Sequence, residues 1–439
     1  MTSAVLTAKP PVEESAARER ALQRLVTAFI STGLVFLLLP GTFLGVWNLI
    51  AISHQRAAHS LSSAWIQAHG QAQLFGWIGT FVIGIGFYSL SKMGRLKPFV
   101  VSRGWRSWAL WTAGITLHWL AGVYEWQWRM LLPLSAFLML AGFLCFFSTV
   151  RQHRPKQSPI PVVQPKQVWM RLVMCSTFAF LACLLLNVAG AVYVASRGLS
   201  PALPSALDAR LILISAWGFL VLAAWGFNAR WLPVFVGLRQ PSERGLKTAI
   251  AILIVALAAG LAGASIACAA LLIAASALAT WSLHIFQKSI RPAKVQNIHW
   301  SFPHFIRVAY VWLLSAAALA LAAAVFDRNG GVMGASRHAL TVGFLGTMVF
   351  TIGCRVLPAF CGMKILFSPR LMLYALTLLN LGCFLRVVCE IPAYEIDQAL
   401  AWRVLPFSAI AELAAVSLFA SNLLATFARP PAHLQMQRA

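Results

Sequence analysis

Hydrophobic residues in this chain neither alternate nor recur on one helical face. They run almost unbroken for about 20 residues at a time, the length a helix needs to cross roughly 30 Å of hydrocarbon. Twelve such runs occur, each predicting a membrane-spanning helix. The first covers residues 25–52, the second 64–90, the third 105–124, the tenth 332–357, the eleventh 371–391 and the twelfth 400–427. The seventh (246–263) and eighth (264–286) are separated only by a tight turn marked by Gly260 and Gly263; joined, they would be too long for one crossing.

The polar stretches between these runs are short. Residues 1–22 are mixed in charge and lack the apolar core and cleavage site of a signal peptide, so they predict a disordered cytoplasmic N-terminus. Residues 23–428 then form one twelve-span transmembrane domain. Within it, 151–167 are Pro-rich and basic and predict a cytoplasmic linker, and 429–439 form a cytoplasmic tail. No connection is long enough for a soluble domain, so any chemistry must lie among the helices.

Composition confirms the class: 60% of the 439 residues are hydrophobic and only 10% charged. The net charge of +24 would suggest a nucleic-acid footprint in a soluble protein, but here it follows topology. With both termini on one side, only Arg56, Arg129, Arg197, Arg210, Arg328, Arg337, Arg386 and Arg403 of the 35 Lys and Arg fall on the other. That bias predicts cytoplasmic termini in a bacterial inner membrane, with the lipid bilayer and no nucleic acid as partner. The eight cysteines all fall in or beside spans and form neither CxxC nor the CxxCH of covalent haem attachment, which reads as small core residues.

Ionisable residues inside spans are costly to bury and mark function. His69 opens the second span, His118 lies near the end of the third and His338 opens the tenth; with alternating direction, all three come within about two turns of the same membrane face. They could be interfacial residues wetted by headgroups, or ligands. Below His69, Gln73, Gly76, Thr80 and Gly84 share its α-helical face, and Thr341, Gly346 and Gly353 follow His338. Small residues under a histidine leave room for a flat macrocycle and also serve close helix packing. Neutral imidazole is a natural axial ligand for haem iron, and two histidines on different helices need no local motif. His54 and His59 fall in the first loop, and His153, His284, His299, His304 and His433 lie at the opposite face, where solvated roles are expected.

Four segments, AHGQAQLFGW (68–77), NARWLPVF (228–235), HALTVGFLGTM followed by RVLPAF (338–360) and LLNLGCFLRVV (378–388), resemble the NnrS family. Its members are bacterial membrane proteins described as containing haem and copper and linked to nitric oxide and denitrification stress. Gln67 replaces the first histidine of the family's usual WHAHE, and Gly70 and Gln71 follow His69. The wider architecture is similar to subunit I of the haem-copper oxidases, a twelve-helix bundle whose low-spin haem hangs between histidines of the second and tenth spans. The resemblance thus implies b-type haem on His69 and His338, His118 as a further metal ligand, copper as a second cofactor, and a respiratory redox partner or diatomic gas ligand. It does not extend to the oxygen-reducing centre: residues 209–263 contain no histidine and the tenth span has one, so a terminal oxidase is not expected.

Arg386 and Arg403 are the candidate partners of haem propionates, since guanidinium grips carboxylate bidentately; alternatively they pair with Glu390, Glu395 and Asp397 nearby. Arg337, one residue from His338 and about 100° away around an α-helix, ranks below them. Glu412, deep in the twelfth span, is either a proton-relay member or a structural acid. A second class of function, a proton-coupled secondary transporter, would use a helix break at Pro40-Gly41 and Glu412, although the two halves of the chain show no evident repeat.

Overall fold

A computed structural model describes residues 12–57, 61–93, 100–153, 168–363 and 365–429, and every regular element among them is a helix. Eleven helical segments are long and apolar enough to cross a membrane: α1 (Ala16–Gln55), α2 (Ser63–Ser91), α4 (Trp128–Gln152), α5 (Val168–Arg197), α6 (Ser205–Phe235), α7 (Glu243–Leu261), α8 (Ser265–Ser282), α9 (Phe302–Phe326), α10 (Gly331–Phe360), α11 (Pro369–Ile396) and α12 (Ala399–Phe427). The remaining long helix, α3 (Ser102–Tyr124), coincides with the third expected span. Its 23 residues reach about 34 Å, enough to cross, but Arg103, Arg106, Thr112, Thr116 and His118 make it less apolar. Between α7 and α8, Gly263 adopts a left-handed conformation (φ 86°) with nothing crowding its Cα, the tight turn expected there.

The first helix starts at Val12, ten residues before the end expected for a disordered N-terminus; residues 1–11 lie outside the described residues, as do 154–167 of the expected linker and 430–439 of the expected tail. Nor does Pro40-Gly41 break α1. Residues Leu37–Phe43 form a π-helical turn that carries the backbone through the proline, so the unwound segment of the transporter reading is not there.

Consecutive helices pack side by side, and α12 closes the bundle by packing on α1. Inside it, α2, α6 and α10 are the most enclosed: 72%, 78% and 78% of their apolar windows are buried, against 28–56% for the other spans. Each of the three carries an eight-residue π segment, Ala72–Gly79, Ile214–Val221 and Ala339–Gly346, with a Gly-aromatic-aliphatic triplet at the same place: Gly76-Trp77-Ile78, Gly218-Phe219-Leu220 and Gly343-Phe344-Leu345. In α6 and α10 the correspondence continues, in unchanged register, to Arg230-Trp231-Leu232-Pro233 and Arg355-Val356-Leu357-Pro358. Repetition is therefore present among the inner helices, spaced four helices apart, instead of between two halves.

A π turn inserts one residue and turns the faces before and after it relative to each other. This corrects the face expected below His69. His69 and Gln73 face a cavity, but a Cβ on Gly76 would meet Phe36 and Ile115, one on Gly84 would meet Phe29, and Thr80 is buried, accepting from Trp111 Nε1 at 2.9 Å. Those small residues serve helix packing. In α10, Thr341 and Gly346 do line the cavity, whereas Gly353 packs toward Leu357 and Phe419.

Candidate functional site

A cavity of about 470 Å³ lies among α1 to α6 and α10 to α12, a volume in the range of small-molecule and cofactor sites. His69, His118 and His338 all line it, as do Arg386 and Glu412. His69 lies six residues into α2, His338 seven into α10 and His118 six before the end of α3, so the three imidazoles share one depth. Leu37, Ile78, Val342, Phe350 and Leu379 supply apolar walls.

His69 is held by the π turn of α1. Its Nδ1 lies 2.8 Å from the Gly41 carbonyl, which can only accept, so Nδ1 carries the proton and Nε2 is left as a bare lone pair. The ring lies close against α1 at Gly45, where a Cβ would sit 2.5 Å from Cε1 and 2.8 Å from Nδ1, so any larger residue there would push the ring away. Gln67, two residues nearer the start of α2, is engaged elsewhere. Its amide donates to the Leu203 carbonyl at 2.9 Å and accepts from the Leu203 N–H at 2.7 Å, tying α2 to the turn before α6.

His338 is fixed from its own helix and from α11. Its Nδ1–H is shared between the Gly334 carbonyl at 2.9 Å and Glu390 Oε2 at 3.2 Å, which again leaves Nε2 unpaired. Glu390 in turn accepts from Arg386 Nε and Nη2, both at 3.1 Å, in a bidentate pair buried between α10 and α11. Gly334 makes room for the carboxylate, since a Cβ there would collide with Glu390 Oε1. The start of α10 is held in register with α11 by acids on its N-terminus: Asp327 accepts from the Gly330 and Met333 N–H groups at 2.8 Å, and Glu395 accepts from those of Arg328, Asn329 and Gly331 at 3.1–3.3 Å.

The two expected propionate partners part company. Arg386 reaches the cavity with two of its nitrogens already committed to Glu390. Arg403 is exposed and does not line the cavity, a correction with a local cause. Asp397 adopts φ 49° before α12 and accepts from Trp402 Nε1 at 2.7 Å, which turns Trp402 inward and the next residue, about 100° further round, outward. Arg337, ranked lower from the sequence, does line the cavity, together with Asp208 of α6. It sits at the junction where α10 passes from α to π geometry, so its direction could not be read from an ideal helix. Glu390, one of the alternative partners the sequence offers for the arginines, belongs to α11, which continues through Pro392 to Ile396. The i, i+4 spacing of Arg386 and Glu390 was the available signal.

His118 Nδ1 and Glu412 Oε1 are both buried without a hydrogen-bond partner, on residues that line the cavity. Glu412 folds over Gly382, where a Cβ would meet its Cγ at 2.7 Å. Of the remaining histidines, His54 ends α1, while His153, His284, His299 and His304 do not line the cavity; His59 and His433 lie outside the described residues. All eight cysteines are free thiols, five of them buried.

Two imidazoles from different helices, each with Nδ1 engaged and Nε2 bare, facing one largely apolar cavity, form a donor set that suits an axially ligated haem. A copper ion held by protein alone fits less well, because among the described residues no three His, Cys, Asp or Glu side chains gather closely enough to share one ion.

A search of the curated proteins finds no match to this chain. Among solved structures, the fold is similar to that of a heme-copper terminal oxidase dimer determined by cryo-EM, with a TM-score of 0.63 over 94% of this chain and 85% of that one; the 14% identity makes this a likeness of fold alone. The family model described as NnrS protein matches residues 27–430, nearly the whole bundle and all four segments singled out in the sequence, and the chain belongs to the NnrS family.

Proposed function

We propose that this chain is an integral-membrane haem protein that holds b-type haem non-covalently between His69 and His338. The observation that carries the reading is the matched pair of imidazoles that line one cavity, each with an acceptor on Nδ1 that leaves Nε2 as the free lone pair. Bound haem would supply one-electron redox chemistry and, where an axial position opens, a site for a diatomic gas such as nitric oxide. The chain's own residues set the terms. Gly45 and Gly41 lock His69, Arg337 and the uncommitted Nη1 of Arg386 offer positive charge to the propionates, and the apolar walls exclude water. Glu412 and His118, with unpaired polar atoms beside the cavity, are the groups through which a proton could enter or leave it.

The family and this site together support a role in nitric oxide and denitrification stress or in respiratory electron transfer. The distribution of basic residues supports insertion in the bacterial inner membrane with cytoplasmic termini. The test is the visible spectrum of the purified protein. A dithionite-reduced sample is expected to show Soret and alpha bands and a b-type pyridine haemochrome, with both bands lost or displaced in His69→Ala and in His338→Ala. A protein without bands, or bands indifferent to both substitutions, would refute the reading.

A further inference from the structure

Among the described residues, the Arg386–Glu390 ion pair is the one whose partners both line the cavity and are buried. Burying two charges is costly, and a structural bundle gains as much from apolar side chains of similar size. Three features indicate that the pair is there for His338. Glu390 Oε2 receives both Arg386 Nε and His338 Nδ1, so one oxygen links guanidinium and imidazole. Gly334, one turn before His338, has no Cβ in the place the carboxylate occupies. The caps from Asp327 and Glu395 fix the start of α10 against the end of α11, the register on which the contact depends.

We infer that Glu390 is a positioning residue that fixes the tautomer of His338 and strengthens its Nε2 as an electron donor, with Arg386 holding the carboxylate in place by its bidentate contact. This rests on the reading of His338 as a haem ligand. A carboxylate on Nδ1–H pushes electron density through the ring, which favours the ferric over the ferrous state and lowers the reduction potential. His69, whose Nδ1 meets only a neutral carbonyl, lacks this push. The two ligands are therefore unequal, and the potential is set mainly from the α10–α11 side.

Glu390→Gln tests the inference by redox titration of the haem bands, which needs no knowledge of substrate. Because the single substitution leaves Arg386 buried without its counter-charge, the Arg386→Gln/Glu390→Gln double variant is measured beside it. The double variant keeps a hydrogen-bond acceptor near His338 and leaves the net charge unchanged, so it isolates the loss of the carboxylate. In the haem-loaded protein both are expected to shift toward the ferrous state by tenfold or more in the redox equilibrium, about 59 mV for one electron. A double variant that holds the wild-type potential overturns the inference, even if the single variant shifts, since charge alone would then explain the single. A wild-type protein without haem would instead overturn the reading beneath it.

Discussion

At the scale of single residues, His69 and His338 owe their orientation to what holds Nδ1. Both are oriented by acceptors that no local motif announces: a carbonyl on a π turn of another helix, and a carboxylate one helix away. Glycine is as decisive as histidine here. Gly45→Ala is expected to push the His69 ring off α1 and weaken haem retention about 10- to 100-fold, the usual cost of disturbing a ligand's support, measured as haem content after purification. Unchanged content would mean that His69 is not held as described. The histidines were legible in the sequence because an imidazole inside a span is rare and their depths matched. Arg337 and Arg403 were misplaced for one shared reason: each sits where a helix departs from ideality, at an α-to-π junction or after a left-handed turn.

At the scale of elements, the π segments explain how apolar helices carry a polar site. An inserted residue lets α10 bury one face below the segment and present His338, just before it, together with Thr341 and Gly346 of the segment itself, to the cavity. Deleting Val342 should restore plain α geometry and rotate His338 by about 100° relative to the rest of α10. Loss of haem with a helical circular-dichroism spectrum retained is the expected result, and retention of haem would show that the π segment is dispensable. The family segment NARWLPVF has a different task. Asn228 donates to the Tyr310 hydroxyl at 2.9 Å in a fully buried contact between α6 and α9. Asn228→Ala should lower stability by about 1–2 kcal/mol, read as an earlier thermal transition in detergent, with the haem spectrum unchanged. Span positions followed from the lengths of the apolar runs. The π turns did not, because an insertion of one residue leaves no mark on a run that is apolar all round.

At the scale of the whole molecule, three inner helices with corresponding π segments stand within a ring of outer ones, a bundle similar to a terminal oxidase at 14% identity. Only one of these inner helices pairs its histidine with a carboxylate–guanidinium couple, and the α6 position that corresponds to His338 is Leu213. One scaffold thus carries different chemistry according to a few side chains. The excess of positive charge belongs to this scale too. A fluorescent-protein fusion at the C-terminus should glow, and an alkaline phosphatase inserted in the turn after Arg197 should be active; the opposite pair of results would reverse the orientation. The central claim, that His69 and His338 are the two axial ligands, is tested most directly by chemical rescue. His69→Gly and His338→Gly are each expected to lose the six-coordinate reduced spectrum and to regain it when imidazole is added to fill the gap. A wild-type spectrum in either variant before imidazole is added would contradict the account.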